Sequence, residues 1–250
     1  MSTNIVQYLG AGTAASRPVT PAVFAGCMAL YYATDTLVWS LWNGSAWIAA
    51  GASVGTPPTI VQSKASVASS KSITLDGAPV NGNLLVAMCF NPTTATAGSG
   101  WTAQASVSTG TDYGTVFTKV AGGAESATQT PLNTDPTPGS MIMWELNGQA
   151  ASQFFLQGAS QAEGAALIGI GPTSVVPKGC LALAAMSLVS ASNNIENLYG
   201  LRVDQSIKTG ANRQIIGGHL TGDGAFAQPI VTFDGAGTPG YKGAVCIITS

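Results

Sequence analysis

Apolar residues in this chain come in short runs cut by Gly, Pro, Asn and Asp rather than at the three- and four-residue spacing of a helical face. Strands are therefore predicted at 60–66, 72–75, 84–90, 114–120, 140–146, 181–188, 201–204, 230–233 and 244–249. Short strands at regular intervals, with no long helix between them, indicate antiparallel sandwiches rather than βαβ units. The fold class expected is all-β.

The stretch 51–58 (GASVGTPP) reads as a linker that closes off an N-terminal module at 1–55. Inside that module, 29–33 and 37–42 flank Thr34-Asp35, and Asn43-Gly44 turns the chain into 45–49. Asn-Gly favours the positive φ angles of a tight hairpin, so a three-stranded meander is expected. It carries Tyr31, Tyr32, Leu37, Trp39, Leu41, Trp42 and Trp47, with large apolar groups on both faces of the middle strand. A small sheet cannot cover both of its own faces. Either the preceding segment 5–24 folds over one of them, or sister chains or a partner protein do, which makes these seven residues the expected attachment and oligomer interface.

Beyond the linker the two halves echo each other. Pro79 leads into Leu84-Leu85-Val86-Ala87 as Pro177 leads into Leu181-Ala182-Leu183-Ala184. Ser106-Val107-Ser108-Thr109-Gly110 matches Ser206-Ile207-Lys208-Thr209-Gly210, and Thr137-Pro138-Gly139 matches Thr238-Pro239-Gly240, in the same order. Each motif is common in turns. Taken together they suggest two tandem, duplicated β-sandwich units at 56–150 and 151–250.

Charge changes the picture by its scarcity: 8 % of residues are charged, against about 25 % in an ordinary domain, and the net charge is −2. No basic patch exists to hold a phosphate backbone, so nucleic acid is not an expected partner. Neither a secretory signal at the N-terminus nor a stretch long enough to insert into a membrane is read from the sequence. The four cysteines, Cys27, Cys89, Cys180 and Cys246, are at least 62 residues apart, and three lie in apolar runs. Buried free thiols are expected rather than a zinc site or disulfides.

Catalytic chemistry finds little to use. The single histidine, His219, would have to serve any Ser/His/Asp device, and no Gly-x-Ser-x-Gly elbow accompanies it. Asp76, Asp112, Asp135, Asp223 and Asp234 stand within two residues of a Gly or Pro, where turn capping explains them. Glu145, between Trp144 and Leu146, sits in a predicted strand beside a tryptophan; alternation points it outward, and glycan hydrolysis would give it a second role. No cofactor or metal set is read. Loop aromatics Trp101, Tyr113, Tyr199 and Tyr241 are candidates for stacking on sugars, with core packing as the competing explanation.

Arg17-Pro18-Val19-Thr20-Pro21, then Leu30-Tyr31-Tyr32-Ala33-Thr34-Asp35-Thr36, then Leu41-Trp42-Asn43-Gly44-Ser45-Ala46-Trp47 resembles a segment of bacteriophage fibre and appendage proteins. The later 79–87, Gly100-Trp101-Thr102, Lys119-Val120-Ala121 and Glu125-Ser126-Ala127-Thr128 are similar to a sandwich domain of phage and bacterial surface proteins. The resemblance implies a non-enzymatic virion component without cofactor, assembled in the host cytoplasm, homotrimeric, and joined to capsid or tail proteins. Contact with a host surface glycan is part of that implication. The chain stops at Ser250 without a repetitive shaft, so a short fibre, head spike or decoration protein is expected rather than a long fibre. A stand-alone carbohydrate-binding module and a capsule-degrading hydrolase are the alternatives.

Overall fold

The computed structural model describes residues 5–21, 27–35, 38–42, 47–50, 57–68, 70–91, 95–108, 113–136, 139–147, 154–158, 167–169, 174–175, 180–189, 194–209, 213–221, 226–227, 230–234 and 240–248. Apart from a 3-10 turn at Ala14–Ser16, the regular elements among them are strands.

The N-terminal module is a four-stranded sheet rather than a three-stranded meander. Strands β1 (Ile5–Gly12), β2 (Cys27–Ala33), β3 (Val38–Trp42) and β4 (Trp47–Ala50) lie in chain order. The addition is β1, which pairs with β2 in parallel. A parallel neighbour requires a crossover over one face of the sheet, and part of that crossover, 13–18, lies against the aromatic face. Tyr31 donates to the Thr13 carbonyl (3.2 Å), Trp47 Nε1 donates to the Pro18 carbonyl (2.5 Å), and the Arg17 guanidinium lies 5.4 Å from the Trp47 ring centroid.

The next half of the chain forms β5 (Ile60–Ser66), β6 (Ile73–Thr74), β7 (Leu84–Asn91), β8 (Thr102–Ser108), β9 (Tyr113–Val120), β10 (Thr128–Gln129) and β11 (Ser140–Leu146). Five of these make one antiparallel sheet in the order β5-β11-β7-β9-β8, and β6 pairs with β10. Every residue of β7 is buried because both of its faces are covered. Leu84, Val86, Met88 and Phe90 enter one core, whereas Leu85, Ala87 and Cys89 enter a second with Trp101, Phe117, Leu132 and Ile73.

The remaining strands are β12 (Phe154–Gly158), β13 (Leu167–Gly169), β14 (Ser174–Val175), β15 (Leu181–Val189), β16 (Asn194–Tyr199), β17 (Arg202–Thr209), β18 (Arg213–Thr221), β19 (Phe226–Ala227), β20 (Ile230–Asp234) and β21 (Gly240–Ile248). They form a second five-stranded sheet, β12-β21-β15-β18-β17, a three-stranded sheet β13-β20-β16, and the pair β14-β19. Strand for strand, the second half repeats the first: β12, β14, β15, β17, β18, β19 and β21 take the places of β5 to β11. Leu84 sits between Leu146 and Val120 as Leu181 sits between Ile248 and Thr221. The bulges coincide too, leaving Gln104 unpaired in β8 and Asp204 unpaired in β17.

The repeat is therefore real in topology, but the tandem sandwiches expected from it are not what forms. Each half contributes one sheet, and the two sheets face each other across a common core of Val86, Met88, Phe90, Val116, Ile142 and Trp144 with Leu181, Leu183, Ala185 and Ile215. β5 lies over β17 and β8 over β12, a pseudo-two-fold arrangement. The central strands β7 and β15 run the same way, since Ser140, beside Phe90, bonds Ser187, near Val189 (2.6 Å).

Two side-chain features give direct expectations. In the outer layer Glu125 accepts from Lys119 Nζ (2.8 Å), the Gly122 amide and Gln129. The Lys119 bond foremost holds its carboxyl below the ordinary value, against the opposing effect of burial. With the folded value below the unfolded one, the group stabilises the fold at neutral pH. That contribution fades as pH falls from the unfolded value of about 4.3 through the depressed folded one. Glu125→Gln is expected to cost about 1 kcal/mol at pH 7, and urea melts of variant and parent should converge in strong acid.

Cys89 and Cys180 are free and buried. Burial pushes the Cys180 thiol up to about 11 and Cys89 further still. Iodoacetamide at pH 8 is expected to leave both unalkylated until denaturant is added, as peptide mapping would report. Cys27 and Cys246 lie in β2 and β21.

Candidate functional site

Six of the seven residues expected at an attachment interface are described, and they divide between two faces. Register puts Ala29, Tyr31, Ala33, Ser40, Trp42 and Trp47 on one face of the N-terminal sheet. Tyr31 is 5 % and Trp42 8 % exposed, Trp47 is half-buried, and the Tyr31 and Trp42 rings each pack edge-on against Trp47. Arg17 donates to the buried Ser40 hydroxyl at 2.6 Å. Tyr31 and Trp42 are thus interior residues of this chain, a correction to their assignment as interface. The preceding segment does the covering, because a parallel β1 carries it across that face. Tyr32, Trp39 and Leu41 fall in register on the opposite face with Leu30 and Ile48; Leu37 lies outside the described residues.

Glu145 is fully buried rather than outward-facing. Alternation fails as a guide here because both faces of β11 are covered. Oε1 accepts from the Val80 amide (2.8 Å) and Asn83 Nδ2 (2.6 Å), and Oε2 from Gln62 Nε2 (2.5 Å). Gln62 also exchanges both bonds with the Gly77 backbone. The carboxylate pins the turn that feeds β7. Its bonds are made inside the fold, and among the described residues no second acid is bonded to it or shares its donors, as glycoside hydrolysis would need.

His219 gains a partner that the sequence did not reveal. Its Nδ1 lies 2.7 Å from Asp204 Oδ1, while Asp204 Oδ2 accepts from Trp144 Nε1 of the opposite sheet at 2.9 Å. An Asp-His pair of this kind is two-thirds of a hydrolytic triad. The sister half supplies its meaning: at the matching bulge Gln104 bonds Thr118 (2.7 Å), the residue in the place of His219. Both pairs fasten a bulge to the neighbouring strand, and Asp204 also ties the sheets together through Trp144, helped by Gln205 donating to Ser63. The signal that marks Asp204 is its position two residues before the Ser206 repeat motif, matching Gln104.

The four proposed glycan contacts are not gathered in one place. Trp101 is 6 % exposed in the outer core, so its ring packs rather than displays. Tyr113, opposite Asn91, and Tyr241, opposite Leu188, belong to facing strands at one end of the sandwich. Tyr199, opposite Ile230 beside the Gly200 turn, lies in the three-stranded sheet. Among the described residues no group of three or more His, Cys, Asp or Glu is arranged to hold a metal ion. Comparison with protein-family models, curated proteins and solved structures finds no match to this chain.

Proposed function

We propose that this chain is a structural component of a bacteriophage particle, a short fibre, head spike or decoration protein. Its N-terminal sheet attaches to sister chains and to capsid or tail proteins, and its sandwich projects for contact with host-surface glycan. The observation that carries the reading is the two-sided character of the N-terminal sheet. Arg17 and Asp35 are the only charged residues in the first fifty, and both serve the covered side, Asp35 through the Ala14 amide. The opposite face carries, in register, Tyr8, Leu30, Tyr32, Trp39, Leu41 and Ile48, without one charge. A uniformly apolar sheet face gains stability from burial against another molecule. The buried Glu145 and the Asp204-His219 pair support a non-catalytic role, each being committed to the fold.

Light scattering of the purified chain tests this. Three chains of 25.1 kDa give about 75 kDa, and Leu41→Asp should release monomers. A 25 kDa monomer at micromolar concentration overturns the trimer. Incubation with host envelope polysaccharide should show retention without new reducing ends; release of reducing ends would favour the hydrolase.

A further inference from the structure

We propose that the inner face of each five-stranded sheet is a docking surface for the complementary sheet of a second copy of this chain, so that the sandwich can close between two molecules as well as within one. Each large sheet is complete in its own half of the sequence: no strand of 60–146 sits in the second sheet and none of 154–248 in the first. Among the described residues, separating the sheets breaks no strand pairing and exposes the shared core and the polar ties across it. Such a division, with one covalent crossing, is the condition for exchanging identical elements between protomers.

The face also selects its partner. Trp144 fits against Gly217, where an added Cβ would meet Ile142 and would stand 3.1 Å from the Trp144 ring and 3.2 Å from the Ala184 carbonyl. The equivalent place in the first sheet holds Val116: it faces Met88 as Gly217 faces Ala185. First sheet on first sheet would therefore set Trp144 against a branched side chain and leave its indole N–H without Asp204. The knob, the notch and the bonds Trp144-Asp204, Gln205-Ser63 and Ser140-Ser187 specify first sheet on second, whichever chain supplies each.

The crossing from Asn147 to Phe154 must travel from β11 to the edge strand β12, which lies over β8. That is three strand spacings and one sheet spacing, roughly 17 Å in all, against a reach of roughly 24 Å for seven residue steps. Deleting Gln149 to Ser152 cuts the reach to about 11 Å, short of closure within one chain.

The experiment places Ser140→Cys and Ser187→Cys, whose hydroxyls touch across the core, in the full chain with and without that deletion, then oxidises each after refolding. Non-reducing electrophoresis reads which chains are paired, whatever oligomer the N-terminal sheet makes, so the result is separate from the trimer test. The undeleted variant should link within one chain at low concentration and show a rising dimer fraction when refolded at high concentration. The deleted variant should give covalent dimers or rings with the parent's far-UV circular dichroism. A deleted variant that links within one chain, or that yields no folded linked species, overturns the proposal.

Discussion

Truncating Trp144 to alanine is expected to bring the sandwich to the edge of unfolding at room temperature. The ring is the largest fully buried side chain among the described residues and stands where both sheets meet. Removing a buried aromatic of this kind costs about 3–5 kcal/mol, and leaving Asp204 Oδ2 without its donor adds about 1–3 kcal/mol. A domain stable by about 5–15 kcal/mol loses much of its margin. Trp144→Phe keeps most of the apolar contact and gives up the bond, so it should fall in between. Gly217→Val attacks the same contact from the other side; combined with Trp144→Ala it should cost clearly less than the sum, because the cavity takes the added methyls. Urea midpoints followed by circular dichroism check all four. A Trp144→Ala midpoint close to the parent's would mean that the sheets are not joined through this residue.

Glu145→Gln ranks second, and separates architecture from catalysis. The substitution turns one acceptor oxygen into a donor facing Gln62, Asn83 or the Val80 amide at a fully buried position. Leaving a buried donor without its charged acceptor costs about 1–3 kcal/mol. The expected result is a lower urea midpoint and faster hydrogen exchange at Val80 and Asn83. Were this acid catalytic, the same variant would keep its stability and lose release of reducing ends from polysaccharide.

Much of the fold was legible in the residues, and the failures have physical causes. Residues 60–66 and 140–146 were bounded correctly because apolar runs end at turn residues. The repeat is visible in the sequence because Pro79 and Pro177, the two Thr-Gly motifs and the two Thr-Pro-Gly motifs recur in the same order at nearly constant spacing. β18 was hidden by Gly217-Gly218, which reads as a turn; here one glycine admits Trp144 and the other lets the bulged β17 backbone approach. β8, TAQASVS with Val107 as its one large apolar residue, has little apolar signal because it is an edge strand whose Thr102, Ala103, Gln104 and Ser106 are exposed. The assignment of a sandwich to each half missed the meaning of Leu84-Leu85-Val86-Ala87-Met88-Cys89-Phe90. An uninterrupted run has both faces covered, so each half supplies a central layer and its outer cover rather than a closed sandwich. Asp204 and His219 could not be paired from sequence, since fifteen residues and a bulge bring them together.

The common direction of β7 and β15 gives the molecule a polarity. Ile60, where the chain enters the sandwich, and Ile248, at the end of β21, share the Leu84 and Leu181 pole. The connections after Asn91, Ser108, Val189 and Thr209 all leave from the other pole, beside Tyr113 and Tyr241. The chain enters the sandwich at one pole and turns back at the other, so inserted peptides or affinity tags belong directly after Ser108 or Thr209, at the opposite end of the strands from Ile60.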